Sequence, residues 1–218
     1  MKHRMVSFFN NIRKPENSLS VWKKVTYSIC IMVFGILLGV VSKYLDCTPV
    51  NTLPNILQSL DIRNFLGRFS IWIFIAVCIS IYSKSPFRAA VNVFVFFTGM
   101  VSSYYLYSKF IAGFFPRSYA MIWIGFTMIS PFLAWICWYA RGNGKIALTI
   151  SAGITAVLFN TTFVYGPGYF DVPYIPEFIV FLLTIFVLRR AVKETLIMIA
   201  AGVIIAVILN YISPIHFW

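Results

Sequence analysis

Five residues offer the strongest candidate ligand chemistry in this 218-residue sequence, and they are Tyr104, Tyr105, Asn160, Asp171 and Glu177. The tyrosine rings provide apolar faces, the amide of Asn160 both donates and accepts hydrogen bonds, and the two acids attract positive charge. Sites for small solutes are commonly lined by aromatic rings with a few orienting polar groups. The sequence therefore predicts a shallow site for a cationic or amine-bearing solute; contact with lipid headgroups would explain the same residues.

The sequence lacks the usual motifs of catalysis and metal binding. His3 and His216 are too far apart for a His-x-x-x-His zinc site, and there is no Gly-x-Ser-x-Gly elbow or Gly-x-x-x-x-Gly-Lys phosphate loop. The four cysteines lie in separate segments without metal-binding spacing, at Cys30, Cys47, Cys78 and Cys137. We therefore expect no catalytic residue, no metal and no cofactor, and a protein that is not an enzyme.

Two pairs of small residues have the four-residue spacing that lets helix backbones approach closely. Gly35 and Gly39 form a Gly-x-x-x-Gly pair, and Gly202 and Ala206 repeat the spacing near the C-terminus. These pairs predict close helix packing, either within one bundle or against another membrane protein.

The composition shows what kind of element must position these residues. Of the residues, 60% are hydrophobic, 18% are aromatic and only 11% are charged, with a mean hydropathy of +0.85. This composition excludes a soluble globular protein and is typical of an integral membrane protein. Seven apolar runs follow a basic leader at 1–24, and they cover 25–42, 66–82, 89–107, 119–139, 146–165, 176–188 and 195–211.

The sequence therefore predicts an all-α polytopic membrane bundle of about seven transmembrane helices, forming a single domain over 25–218. The sixth run has 13 residues, which rise only about 20 Å as a helix while the hydrocarbon layer is about 30 Å thick. A full crossing with irregular backbone at 169–175 and a re-entrant segment both remain open for this run.

The charges predict the orientation. The sequence has 18 Lys and Arg against 6 Asp and Glu, and seven crossings place thirteen of the 18 basic residues on the side of the N-terminus. Because basic residues concentrate in cytoplasmic segments, we expect the N-terminus inside and the C-terminus outside. Orientation and contact with anionic lipid explain the net charge of +12, so we expect the lipid bilayer and not nucleic acid as a partner.

About half of the chain resembles a known group of sequences. The Tyr-Ser-Lys-Ser-Pro segment at 82–86, the run at 99–107 and the Phe-Pro-Arg-Ser-Tyr segment at 115–119 resemble uncharacterised multipass membrane proteins of Gram-positive bacteria. The resemblance implies the cytoplasmic membrane of a bacterium and supplies no catalytic residue. The chain length and the Gly35/Gly39 pair are also similar to the substrate-binding subunits of energy-coupling vitamin transporters, which typically have six spans.

Two classes of function follow from the sequence. The first is a small-solute-binding or permease component with an outward-facing site lined by aromatic residues. The alternative is a non-transporting membrane partner, such as an immunity, sensory or assembly factor, that acts through helix contacts with another membrane protein.

Overall fold

The computed structural model describes residues 9–16 and 20–212 of the chain. The leader predicted over 1–24 is thus described only in part, and His3 and His216 lie outside the described residues. Residues 9–12 are helical. The later helices are α1 (Val21–Cys47), α2 (Asn55–Ser59), α3 (Ile62–Phe65), α4 (Phe69–Tyr82), α5 (Pro86–Phe110), α6 (Arg117–Trp138), α7 (Gly144–Thr162), α8 (Ile175–Leu188) and α9 (Val192–Ile212).

Two 3₁₀ turns and one β-hairpin connect some of these helices. Val50–Thr52 and Tyr139–Arg141 form 3₁₀ turns, and β1 (Val164–Gly166) pairs antiparallel with β2 (Tyr169–Asp171) between α7 and α8. The apolar run at 146–165 was expected to be helical to its end, but the helix stops at Thr162 and the hairpin begins at Val164.

Within the described residues, five helices are long and apolar enough to cross a membrane: α1, α5, α6 extended through the 3₁₀ turn to Arg141, α7 and α9. A helix satisfies its backbone hydrogen bonds within itself, as the hydrocarbon layer requires. The chain is therefore a multipass integral membrane protein built as an all-α bundle.

The two remaining apolar helices, α4 and α8, have 14 residues each, which rise about 21 Å against a hydrocarbon layer of about 30 Å. In the run at 66–82 the helix begins only at Phe69. The indole N–H of Trp72 donates a hydrogen bond to the carbonyl of Leu66 at 2.9 Å, and the hydroxyl of Tyr119 donates one to the carbonyl of Gly67 at 3.0 Å. The carbonyls of this turn are thus bound by side chains and not by a continuing helix. The count of seven crossings stays a prediction.

The two ends of the bundle carry different side chains. At one end, which we call the aromatic end, Tyr104 binds Asp46 and Tyr119 binds Gly67. At the other, the basic end, Arg88 binds the carbonyl of Lys24. The orientation of these ends across a membrane, with the N-terminus inside, stays a prediction.

Helix α8 extends from the aromatic end to the basic end although it has only 14 residues. Glu177 in its first turn pairs with Arg68, just before α4. Just after its last turn, Arg190 donates to the carbonyl of Ala140 at 2.5 Å. Helix α4 also runs from the aromatic end to the basic end, with Arg68 just before it and Ser83 just after it. The carbonyl of Ser83 accepts a hydrogen bond from the Trp138 indole.

Close packing occurs where the sequence has its small residues. A Cβ on Gly35 would lie 2.3 Å from the carbonyl oxygen of Phe96, and one on Gly39 would lie 2.2 Å from the Ser103 hydroxyl, so α1 and α5 are almost in backbone contact. A Cβ on Gly202 would lie 3.0 Å from Thr155 on α7. Both pairs of small residues pack inside this chain, since Ala206 is also fully buried.

The leader segment 9–16 folds under the basic end. Arg13 donates to the carbonyls of Trp138 at 2.7 Å and Ile81 at 2.9 Å, and the amide of Glu16 donates to the carbonyl of Lys84 at 2.8 Å. Burial, and then the charge of Arg141, lowers the pKa of Arg13. The hydrogen bond from Lys84 lowers the pKa of Glu16. The segment thus ties the ends of α4 and α6 together.

Candidate functional site

A small cavity lies at the aromatic end between α1, α4, α5 and α6. Its volume of about 20 Å³ is enough for about one water molecule. Half of the ten lining residues are aromatic, and they are Trp72, Tyr104, Tyr105, Tyr119 and Trp123. The sequence placed Tyr104 and Tyr105 in a ligand site, and the structure brings both to this cavity.

Tyr105, one of the lining residues, has an unpaired polar atom. The residue is 7% exposed, and its hydroxyl has no hydrogen-bond partner among the described residues. Its ring is held edge-on by Tyr104 at 5.1 Å and by Phe115 at 5.6 Å between centroids. Because a buried hydroxyl without a partner is unfavourable, this group favours a ligand or water that can hydrogen-bond to it.

Tyr104 belongs to a buried ionic cluster at the end of α1. Lys43 is 1% exposed, and its Nζ lies 2.5 Å from Oδ2 of Asp46. The same ammonium lies 5.0 Å from the ring centroid of Tyr104 and 4.4 Å from that of Phe114. The Tyr104 hydroxyl donates to Asp46 at 3.2 Å. Sequence reasoning missed this cluster, although the Lys-x-x-Asp spacing places both charges on one helix face.

Glu177 is fully buried and already has a partner. Nε of Arg68 donates to Oε1 of Glu177, and Nη1 of Arg68 donates to Asp61 at 3.2 Å. The guanidinium lies over the ring of Tyr174 at 3.8 Å from its centroid. The sequence offered Glu177 as an acid for a cationic solute, whereas in this conformation Arg68 occupies that carboxylate.

Two polar atoms of the Arg68–Glu177 ion pair have no hydrogen-bond partner among the described residues. They are Nη2 of Arg68 and Oε2 of Glu177, and both are buried. A buried ion pair is stabilising only where its remaining donors and acceptors are satisfied. The pair therefore retains capacity for another polar group; neither Arg68 nor Glu177 lines the cavity, whereas Gly67, the residue before Arg68, does.

Asn160 and Asp171 lie in other surroundings. The Asn160 amide donates to the carbonyl of Ala206 on α9 at 3.1 Å and accepts from the Tyr165 hydroxyl at 2.7 Å, while burial raises the pKa of Tyr165. Asp171 is exposed on β2, where it accepts a hydrogen bond from the amide of Val172 at 2.8 Å. The structure thus does not place all five candidate residues at one cavity, and their ligand-binding role stays a prediction.

Three aromatic members of the cavity wall were outside the predicted site. Trp72 and Tyr119 are of residue types that are enriched at membrane interfaces. Tyr119 and Trp123 are four residues apart on α6, so they share a helix face, and this spacing was the available signal. Their rings are 6.4 Å apart.

Comparisons with known proteins add no family to this description. No protein-family model, curated protein or solved structure matches the chain. Within residues 9–16 and 20–212, no three or more His, Cys, Asp or Glu side chains lie together so that they could hold a metal ion.

Proposed function

We propose that this protein is a small-solute-binding or permease component of a membrane, with its site at the aromatic-end cavity. The observation that supports the proposal most strongly is the buried, unpaired hydroxyl of Tyr105 in an aromatic wall. We further propose that the aromatic end faces outward and that the membrane is the cytoplasmic membrane of a bacterium, as the resemblance of the sequence implies.

The aromatic wall and the ion pairs of the aromatic end favour a cationic or amine-bearing solute. Lys43 and Asp46 form one pair, and Arg68 is shared between Asp61 and Glu177. None of these five side chains lines the cavity, and together they carry two positive and three negative charges. Aromatic faces also attract cations, with Trp the most effective ring, and Trp72 and Trp123 both line the cavity.

Binding requires the cavity to open, because pockets for small molecules usually occupy about 300–1,000 Å³. The Tyr119 hydroxyl joins α6 to the turn before α4 through its 3.0 Å hydrogen bond to Gly67. Movement of the first turn of α6 away from Gly67 breaks a single hydrogen bond and widens the cavity on the side of Tyr119 and Trp123. We propose this movement as the opening step.

The test measures binding of small primary and quaternary amines to the full-length protein in detergent, with neutral isosteres of the same shape for comparison. Because Trp72 and Trp123 line the cavity, a bound amine should change tryptophan fluorescence. Tyr105→Phe removes only the hydroxyl and should weaken binding of a hydrogen-bonding amine about tenfold.

Tyr107→Phe is the matched control, since it makes the same change on the same helix at a residue that does not line the cavity. It should bind amines as the parent does. Absence of amine binding in the parent, or equal affinities for the parent and Tyr105→Phe, would exclude this site.

The alternative function, a non-transporting partner acting through helix contacts, has less support. The small-residue pairs that favoured it pack against α5 and α7 of this chain. A partner would have to bind other surfaces of the bundle.

A further inference from the structure

A second cavity lies at the basic end, between α1, the end of α4 and the start of α5. Its volume is about 340 Å³, which is within the usual range for small-molecule pockets. The residues that matter for its chemistry are Tyr27, Ile31, Tyr82, Lys84, Arg88 and Asn92. The proposed solute site at the aromatic end makes no use of this cavity.

The guanidinium of Arg88 is held in the cavity by neutral groups. Its Nη2 lies 2.6 Å from the carbonyl oxygen of Lys24, 2.8 Å from the hydroxyl of Ser28 and 3.1 Å from Oδ1 of Asn92. Asn92 is itself fixed, because its Nδ2 donates to the Ser83 hydroxyl at 3.2 Å. These contacts fix the position of the positive charge without neutralising it.

Arg88 has no carboxylate partner within the described part of the chain, and its Nε and Nη1 make no hydrogen bond there. Its neighbour Lys84 differs, because its Nζ lies 2.5 Å from Oε2 of Glu16. Among the described residues, the cavity therefore carries one positive charge without an acidic partner and two guanidinium nitrogens without an acceptor. Guanidinium groups match the geometry of phosphate oxygens.

The rest of the cavity fits a lipid. Tyr27 and Tyr82 are exposed, and tyrosine is enriched at the level of lipid headgroups. Ile31 and Ile79 line the cavity one helical turn further from the basic end, where an acyl chain would begin. Basic pockets between transmembrane helices are a known type of site for anionic headgroups.

We propose that this cavity binds the phosphate group of an anionic glycerophospholipid from the leaflet at the basic end. Arg88 donates to the phosphate oxygens through Nε and Nη1, and the glycerol and first acyl carbons lie against Ile31 and Ile79. The bound lipid supplies the negative charge that Arg88 lacks within the described residues.

The test is native mass spectrometry of the full-length protein in detergent with equimolar phosphatidylglycerol and phosphatidylcholine. The parent should retain phosphatidylglycerol in about fivefold excess, which is the preference expected from one basic residue near the membrane surface. Arg88→Gln should remove that excess. Lys145→Gln is the matched control, because it removes one exposed basic charge of the same end outside the cavity.

A second variant keeps every charge and fills the apolar part of the cavity. Ile31→Trp should also lower retention of phosphatidylglycerol, whereas inorganic phosphate added to the parent should not displace the lipid. The proposal is overturned if Ile31→Trp keeps the parent's retention of phosphatidylglycerol or if a folded Arg88→Gln keeps the parent's excess of it. It is also overturned if Lys145→Gln loses the excess equally, or if phosphate alone displaces the lipid, which would indicate a site for a soluble anion.

Discussion

At the scale of single residues, the chain places several charges where lipid-facing helices usually exclude them. Lys43 and Glu177 are almost completely buried, and each is neutralised by a charge of opposite sign. Ionisable groups at such positions in membrane proteins are costly and are usually paired. Arg68 does more than pair with Glu177, since it also contacts Asp61 and the ring of Tyr174. The aromatic end therefore depends on a few long-range polar contacts.

The pair of Arg68 and Glu177 gives a prediction at this scale. Arg68→Met leaves a buried acid without its partner and should lower the free energy of unfolding by about 3–5 kcal/mol. The double variant Arg68→Met with Glu177→Leu removes both charges and should recover much of that loss. Thermal unfolding followed by tryptophan fluorescence measures both variants. Losses that simply add in the double variant would show that the two side chains do not interact.

At the scale of helices, neighbouring backbones approach most closely where the residues between them are small. Helix α1 meets α5 through three glycines, because Gly99 faces the carbonyl of Met32 while Gly35 and Gly39 face α5. Helix α4 packs against α5, α6, α7 and α8, so its 14 residues lie at the centre of the molecule. Three of these neighbours, α5, α6 and α7, are longer than α4 and shield it.

A pair of alanine substitutions tests the contact between α1 and α5. Gly35→Ala introduces a Cβ that would lie 2.3 Å from a backbone oxygen of α5, so the helices must separate. We expect it to lower the free energy of unfolding by about 1–3 kcal/mol. Gly125→Ala on α6 is the control, because a Cβ there meets nothing within 4 Å. Unchanged stability in Gly35→Ala would contradict the observed helix approach.

At the scale of the whole molecule, the two ends differ in how they hold charge. At the basic end, Arg13 and Arg88 bind backbone carbonyls, whereas Lys84 pairs with Glu16. At the aromatic end, Lys43 and Arg68 pair with acids. Cations that bind only carbonyls keep their positive charge, which is favoured next to anionic lipid.

The orientation gives a prediction at this scale. A reporter fused after Arg190 should read as cytoplasmic, and one fused after Trp218, which lies outside the described residues, should read as external. The expectation rests on Arg189 and Arg190 between α8 and α9 and on Lys193 in the first turn of α9. A cytoplasmic C-terminus would show that α8 or α9 does not cross the membrane.

The sequence predicted the apolar helices better than the contacts between them. Each apolar run contains a helix, because the hydrocarbon layer leaves an apolar segment few other ways to satisfy its backbone. The turn before α4 and the hairpin at 164–171 were missed; the turn is bound by Tyr119, which is 52 residues from Gly67 in the sequence. Arg68 and Glu177 are 109 residues apart, so no local pattern could pair them. The five candidate site residues were predicted from type and depth alone, and only Tyr104 and Tyr105 line the cavity.

The leader segment under the basic end has a consequence for the order of synthesis. Arg13 leaves the ribosome early, yet one of its carbonyl partners belongs to Trp138, 125 residues later. The carbonyl of Ile12 likewise has a partner that is made much later, because the amide of Asn143 donates to it at 2.7 Å. The segment therefore cannot dock until α6 and the turn after it have been made. Segment 9–16 is translated before these partners, so it completes these contacts only after α1 to α6 exist.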